Sequence, residues 1–228
     1  MKDRQGKIQT HQEGKAFFPR LVLPRPCMML VTEPSERDRL IAIIKAAVEG
    51  GVNAVQLRDK TGPQQSLLEI AALLKSSLPG IPVIVNGRPA TDEADAFDCI
   101  HLPEDAGGPA EVRVAAETKR LVGRSVHSLI GAVQAEKLGT DYLLTGTIFA
   151  STTHPDLPPA GLEFLRQICK NANIPVIAIG GVTPENLEDC IQAGAAGIAV
   201  LSPIMRASDP YHVARHYRLA LESAWAKR

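Results

Sequence analysis

Aromatic side chains make up only 4% of the 228 residues, so a core has to be built from Ala, Val, Ile and Leu, as α/β packing usually is. Charge of one sign is also lacking: 25 basic and 25 acidic residues cancel. No global field therefore draws the chain to nucleic acid or to an anionic membrane, and any anion must be recognised locally. No apolar run is long enough to span a bilayer, and the polar start from Met1 to Lys15 lacks the hydrophobic segment of a secretory signal. CxxC spacing is absent. Cys27, Cys99, Cys169 and Cys190 lie mostly in apolar stretches, which reads as reduced core thiols in a cytoplasmic setting rather than a metal site or a disulfide framework. GxGxxG is missing after the first apolar run, which counts against dinucleotide binding.

What is present is organised around IPVIAIGGVTPENLEDCIQAGAAGIAVLSP, Ile174 to Pro203. The apolar run Ile174 to Ile179 ends in Gly180-Gly181, passes a Thr-Pro-Glu start signal into an amphipathic segment, and returns as Ala195 to Val200. That is a strand, helix, strand unit. Two glycines at a strand end let the backbone turn sharply and approach an anion with bare N–H groups, and Leu201-Ser202-Pro203 supplies a second donor turn. In a parallel barrel the loops after strands seven and eight are the usual phosphate site. The competing reading of Gly-Gly is tight helix-to-strand packing.

Similar units precede it. Strands are expected at Cys27 to Thr32, Ala54 to Leu57, Ile81 to Val85, Cys99 to Leu102, Leu121 to Val126 and Tyr142 to Thr145. Helices are expected from Pro34-Ser35-Glu36 onward, at Pro63 to Leu78, Ala90 to Ala96, Ala110 to Lys119, Leu129 to Leu138, Leu162 to Asn171 and Tyr211 to Ala224. Eight alternating units predict a single (β/α)8 TIM barrel with parallel strands over residues 25–228, preceded by a loosely ordered extension over 1–24. Its active face lies where the strands end, which collects Arg58, Lys60, Asn86, His101, Ser125, His127, Thr145, Thr153, Gly181 and Ser202 at one mouth.

That mouth suits a small anionic substrate. Arg58 offers a fork and Lys60 a point charge, unless they pair with Asp59 or Glu104. His127 stands just past a strand end as a candidate acid–base group, or else as a first-turn residue beside the helix cap Ser128. His101, within CIHLPED, reads as packed and hydrogen-bonded inside the barrel, and His154 as a loop residue.

At these residues the chain resembles the thiamine phosphate synthase/TenI superfamily of barrel proteins, over approximately Cys27 to Pro210. The matching phrases are QLRDK at Gln56 to Lys60, VNGR at Val85 to Arg88, IHLPE at Ile100 to Glu104, GRSVHS at Gly123 to Ser128, DYLLTGTIF at Asp141 to Phe149, IPVIAIGG and GIAVLS. The resemblance implies a phosphate held by Gly180, Gly181, Leu201 and Ser202, with Arg58, Lys60, Asn86, Ser125 and Thr153 as further substrate-binding residues. The synthases join a hydroxymethylpyrimidine pyrophosphate to a thiazole phosphate with magnesium on two aspartates. Here Gly87 follows the strand-three Asn and Ala106 lies five residues after the strand-four His, while the synthase TxTK loop becomes Ser151-Thr152-Thr153-His154. NGR, HLPE and GRSVHS look like the TenI branch instead.

The resemblance thus implies an isomerase, a thiazole tautomerase of thiamine biosynthesis. Its ligand is a thiazole phosphate carboxylate, aromatised by His127, which takes and returns the proton. No cofactor is implied, magnesium entering only under the synthase reading. No nucleic-acid or membrane partner is expected, and a homodimer is the one assembly allowed for. The alternatives are a synthase whose metal site is rebuilt from Glu104 or Asp105, and a non-catalytic sensor retaining the phosphate pocket.

Overall fold

Short aliphatic runs buried on both faces form the strands, as expected where helices cover the outside of a sheet and side chains fill its inside. The computed structural model describes residues 22–87, 96–106, 120–151 and 158–228. Strands β1 (Cys27–Val31), β2 (Ala54–Leu57), β3 (Val83–Asn86), β4 (Cys99–Leu102), β5 (Leu121–Val126), β6 (Tyr142–Thr145), β7 (Val176–Ile179) and β8 (Gly197–Val200) pair in chain order. All pairings are parallel, and β8 returns to β1 to close the barrel. Around it, among the described residues, run α1 (Arg37–Glu49), α2 (Gln64–Ser77), α3 (Leu129–Lys137), α4 (Gly161–Asn171), α5 (Leu187–Gln192), α6 (Ser202–Met205) and α7 (Pro210–Ala226). The single TIM barrel read from the alternation is the fold. The expected helices at 90–96 and 110–119 fall outside the described residues except for Ala96, as do residues 1–21 of the expected extension.

Two strands start two residues later than the apolar runs suggest, at Val83 and Val176. Pro82 and Pro175 precede them. A proline has no N–H for the ladder but can still accept, and both carbonyls do, from Val55 N at 3.0 Å and Leu143 N at 2.9 Å. Helix starts follow the local chemistry. Glu36 caps α1 by accepting from the N–H groups of Asp38 and Arg39, Ser128 caps α3 through Gly131 N, and Asp209 caps α7 through His212 N.

The period-two alternation splits the core in two. Met29, Val31, Ala54, Ile84, Cys99, Leu121, Tyr142, Leu144, Ile177 and Ala199 fill the inside of the barrel. A larger set, including Leu30, Val55, Val85, Leu143 and Ile198, packs outward against the helices. Leu23, within the expected extension, is buried against the inner set. All four cysteines are free, and burial pushes the thiol of Cys27 up to about 12. Among the described residues no helix is long and apolar enough to cross a membrane.

Candidate active site

Following the inward positions two residues at a time carries β2 to β5 from apolar packing to polar groups at the mouth. On β2 the series is Ala54, Gln56, Arg58; on β3 it is Ile84, Asn86; on β4, Cys99, His101; on β5, Leu121, Gly123, Ser125, His127. Pairing aligns Asn86 with His101 and His101 with Gly123, so these groups sit side by side. Gln56 Nε2 donates to Asn86 Oδ1 at 3.1 Å. His101 is closed off on both sides, with Nδ1 3.1 Å from the Tyr142 hydroxyl and Nε2 2.9 Å from Ser125 Oγ. Thr145, expected at the mouth, has the opposite parity on β6: it is fully buried and its hydroxyl donates to the Val126 carbonyl at 3.2 Å.

Burial, helped by the nearby Arg58 charge, pushes the His101 pKa down to about 3 from 6.5. The imidazole is therefore neutral in the folded protein while the unfolded chain takes up a proton below pH 6.5. The stabilisation is complete above that pH and is lost as pH falls from 6.5 towards 3. Urea unfolding between pH 6.5 and 4.5 is expected to show wild type losing up to about 1.4 kcal/mol per pH unit more than His101→Gln. Parallel pH slopes for the two proteins would contradict this.

Arg58 is pinned by its backbone: its N–H donates to Thr32 Oγ1 at 2.9 Å, and that hydroxyl donates back to the Arg58 carbonyl. Its side chain lines a cleft of about 280 Å³ with Thr32, Glu33 and Asp59. Asp59 does not pair with it. Its Oδ1 accepts from Thr61 N, Thr61 Oγ1 and Gly62 N, and these bonds hold the carboxyl below its usual range. Among the described residues neither Arg58 nor the exposed Lys60 has a carboxylate partner within 4.0 Å. Glu33, across the cleft, is held by both arms of Arg206 at 2.9 Å, which lowers its pKa and ties the β1–α1 loop to the end of α6.

His127 is exposed, and its Nδ1 lies 2.9 Å from the Gly146 carbonyl. A carbonyl only accepts, so Nδ1 carries the ring proton. Glu104 is committed to the same corner: its Oε1 accepts from His127 N at 3.0 Å and from the Ser128 hydroxyl at 3.4 Å, and it packs where a Cβ on Gly131 would stand. Replacing Glu104 with alanine is expected to leave the His127 N–H and the capping Ser128 without this acceptor, costing about 1 kcal/mol and about 2–4 °C in thermal midpoint. An unchanged midpoint with lost activity would make Glu104 a ligand instead.

These commitments bear on magnesium. Gly87 and Ala106 bring no side-chain oxygen, Asp59 and Glu104 are engaged by N–H and O–H donors, and Asp105 is left exposed on its own. Among the described residues no three His, Cys, Asp or Glu side chains converge. Magnesium asks for oxygen ligands in near-octahedral array. The described donor set does not fit an ion held by a carboxylate pair.

At the far side of the mouth, Gly180 and Gly181 have φ of 96° and 62°. A Cβ on Gly181 would press on the carbonyl oxygens of Phe149 and Ala150, and one on Gly180 on Thr147. The positive φ frames a turn, and the bare Cα positions admit the 147–150 segment, so the close packing here is of a loop against the turn rather than of a helix against a strand. Asn186 locks the turn by donating to the Gly181 carbonyl and accepting from Thr183 N. Leu201 precedes α6, with Ser202 as its first residue. Thr153 and His154 lie outside the described residues. Gln56 and Tyr142 escaped sequence reasoning. The available signal was parity, since Gln56 lies two residues before Arg58 in an extended run.

A family model described as thiamine monophosphate synthase matches residues 28–204. The thiamine-phosphate synthase of Chloroflexus aurantiacus is 41% identical over 180 residues, covering 78% of this chain and 83% of the relative. That of Natronomonas pharaonis is 38% identical over 186 residues, covering 79% and 86%. Among solved structures, a thiamine phosphate pyrophosphorylase from Pyrococcus furiosus superposes with a TM-score of 0.74 at 31% identity, covering 88% of this chain and 98% of the other. These relatives overturn the thiazole tautomerase assignment and with it the isomerase class. That assignment rested on short phrases, on two strand-end positions, Gly87 and Ala106, each at the edge of a segment outside the described residues, and on the loop Ser151-Thr152-Thr153-His154. The likeness to synthases runs through the whole barrel.

Proposed function

The chain belongs to the thiamine monophosphate synthase family, and from that membership we propose that it joins a hydroxymethylpyrimidine pyrophosphate to a thiazole phosphate, acting as a transferase. Identity of 41% to a synthase across most of both chains carries the reading, and the strand-end cations of β2 support it chemically.

The bond between the pyrimidine methylene carbon and the pyrophosphate oxygen breaks, and its electron pair leaves with the oxygen. The thiazole nitrogen lone pair makes the new C–N bond. Negative charge grows on the departing pyrophosphate, and Arg58 and Lys60 stabilise it. Gly180, Gly181, Leu201 and Ser202 hold the phosphate of the thiazole, while Asn86, Ser125 and Thr153 orient polar atoms of the two substrates. No proton has to move in this step. His127 therefore serves as a fixed wall of the mouth, its Nδ1 proton spent on Gly146. The four free thiols support a cytoplasmic setting.

Chromatography of the purified chain mixed with the two substrates tests the reading. Thiamine phosphate should accumulate, and its formation should fall when Arg58 is removed. A folded protein that forms none overturns the proposal.

A further inference from the structure

Below the mouth, side chains from three strands meet inside the barrel: Tyr142 on β6, His101 on β4 and Ser125 on β5. Gly123 makes the meeting possible. It pairs with His101 on one side and Tyr142 on the other, and a Cβ there would overlap the tyrosine ring. Tyr142 and His101 are fully buried, whereas Ser125 is half-buried at the mouth end of its strand.

A neutral imidazole donates through one nitrogen and accepts through the other, so the direction of this chain has two solutions. Among the described residues the Tyr142 hydroxyl has His101 Nδ1 as its one hydrogen-bond partner. Were Nδ1 the donor, the phenol proton would be buried without an acceptor, which is the costlier arrangement. Tyr142 therefore donates to Nδ1, and Nε2 carries the ring proton and donates to Ser125 Oγ. The serine's own proton is then turned away from the ring. Burial and the Arg58 charge keep the ring neutral, so the direction does not reverse by protonation near neutral pH.

We propose that Tyr142 and His101 are positioning residues that fix the Ser125 hydroxyl as a hydrogen-bond donor towards the substrate. For the substrate's identity the proposal rests on the synthase reading; for its direction it rests on the geometry of the three side chains. Without the phenol, nothing donates to Nδ1 and the ring loses the contact that fixes its orientation, so Nε2–H no longer holds Ser125 Oγ firmly as its acceptor and the serine proton loses its set direction.

Two measurements decide it. Nitrogen-15 NMR of the histidine rings, with His101 assigned by its loss in His101→Gln, should show Nε2 protonated in wild type and, in Tyr142→Phe, an unprotonated Nδ1 shifted to the position of a ring nitrogen that accepts no hydrogen bond. In turnover, Tyr142→Phe is expected to lower kcat/KM for the pyrimidine pyrophosphate about tenfold, and to add no further loss in a Ser125→Ala background. A ring protonated at Nδ1 in the wild-type protein overturns the proposal without any variant having to fold. So does an equal loss from Tyr142→Phe whether or not Ser125 is present. If the chain makes no thiamine phosphate the synthase reading fails, and the wild-type tautomer still decides the direction of the chain.

Discussion

Arg58→Ala is expected to lower kcat/KM for the pyrophosphate substrate by about 100- to 1000-fold, the usual effect of removing one fixed group from the place where negative charge develops. The expectation follows from what surrounds the side chain. Asp59 is consumed by its own turn and Glu104 by the start of α3, so no described carboxylate neutralises the guanidinium. The backbone of Arg58 is tied to Thr32 and stays in place when the side chain is cut back. The thermal midpoint should therefore barely move. Arg58→Lys keeps the charge and loses the fork, and should recover part of the rate. Steady-state kinetics beside a melting curve separates the possibilities: a midpoint that collapses together with the rate would mean Arg58 holds the fold rather than the substrate.

Gly181→Ala should damage the opposite wall of the mouth. At φ of 62° an L side chain is strained, and the added Cβ meets the main-chain oxygens of Phe149 and Ala150, which cannot swing aside as a flexible side chain would. A cost of about 1–3 kcal/mol is expected, or several degrees in thermal midpoint. KM for the thiazole phosphate should rise about tenfold or more, while KM for the pyrimidine substrate stays within about twofold, because the Arg58 side is untouched. Equal changes in both constants would contradict a phosphate turn confined to this wall.

The fold was legible because each unit announces itself twice, by an apolar run and by helix-start chemistry such as Glu36, Ser128 and Asp209. Strand starts were less so where Pro82 and Pro175 interrupt the ladder without interrupting the hydrophobic run. At the mouth, Arg58, Asn86, Ser125 and His127 followed from strand-end position, and Thr145 went astray because position along the strand was used without parity. Glu104 shows a different limit. Nothing local distinguishes a carboxylate that braces the residues leading into α3, 23 residues ahead of His127, from one that awaits a cation. Tyr142 was hidden for a similar reason: its partner His101 is 41 residues away, and the space for its ring comes from Gly123 on a third strand. The reaction was misread because an inference from Gly87, Ala106 and the loop Ser151-Thr152-Thr153-His154 weighs a few local positions, whereas the likeness to synthases weighs the whole barrel.

The most direct measurement is the stoichiometry of products from the purified chain and equimolar hydroxymethylpyrimidine pyrophosphate and thiazole phosphate. One pyrophosphate should be released for every thiamine phosphate formed, with both lost together in Arg58→Ala. Tight binding of the thiazole phosphate without release of pyrophosphate would contradict the account and leave a phosphate-ligand binding protein in its place.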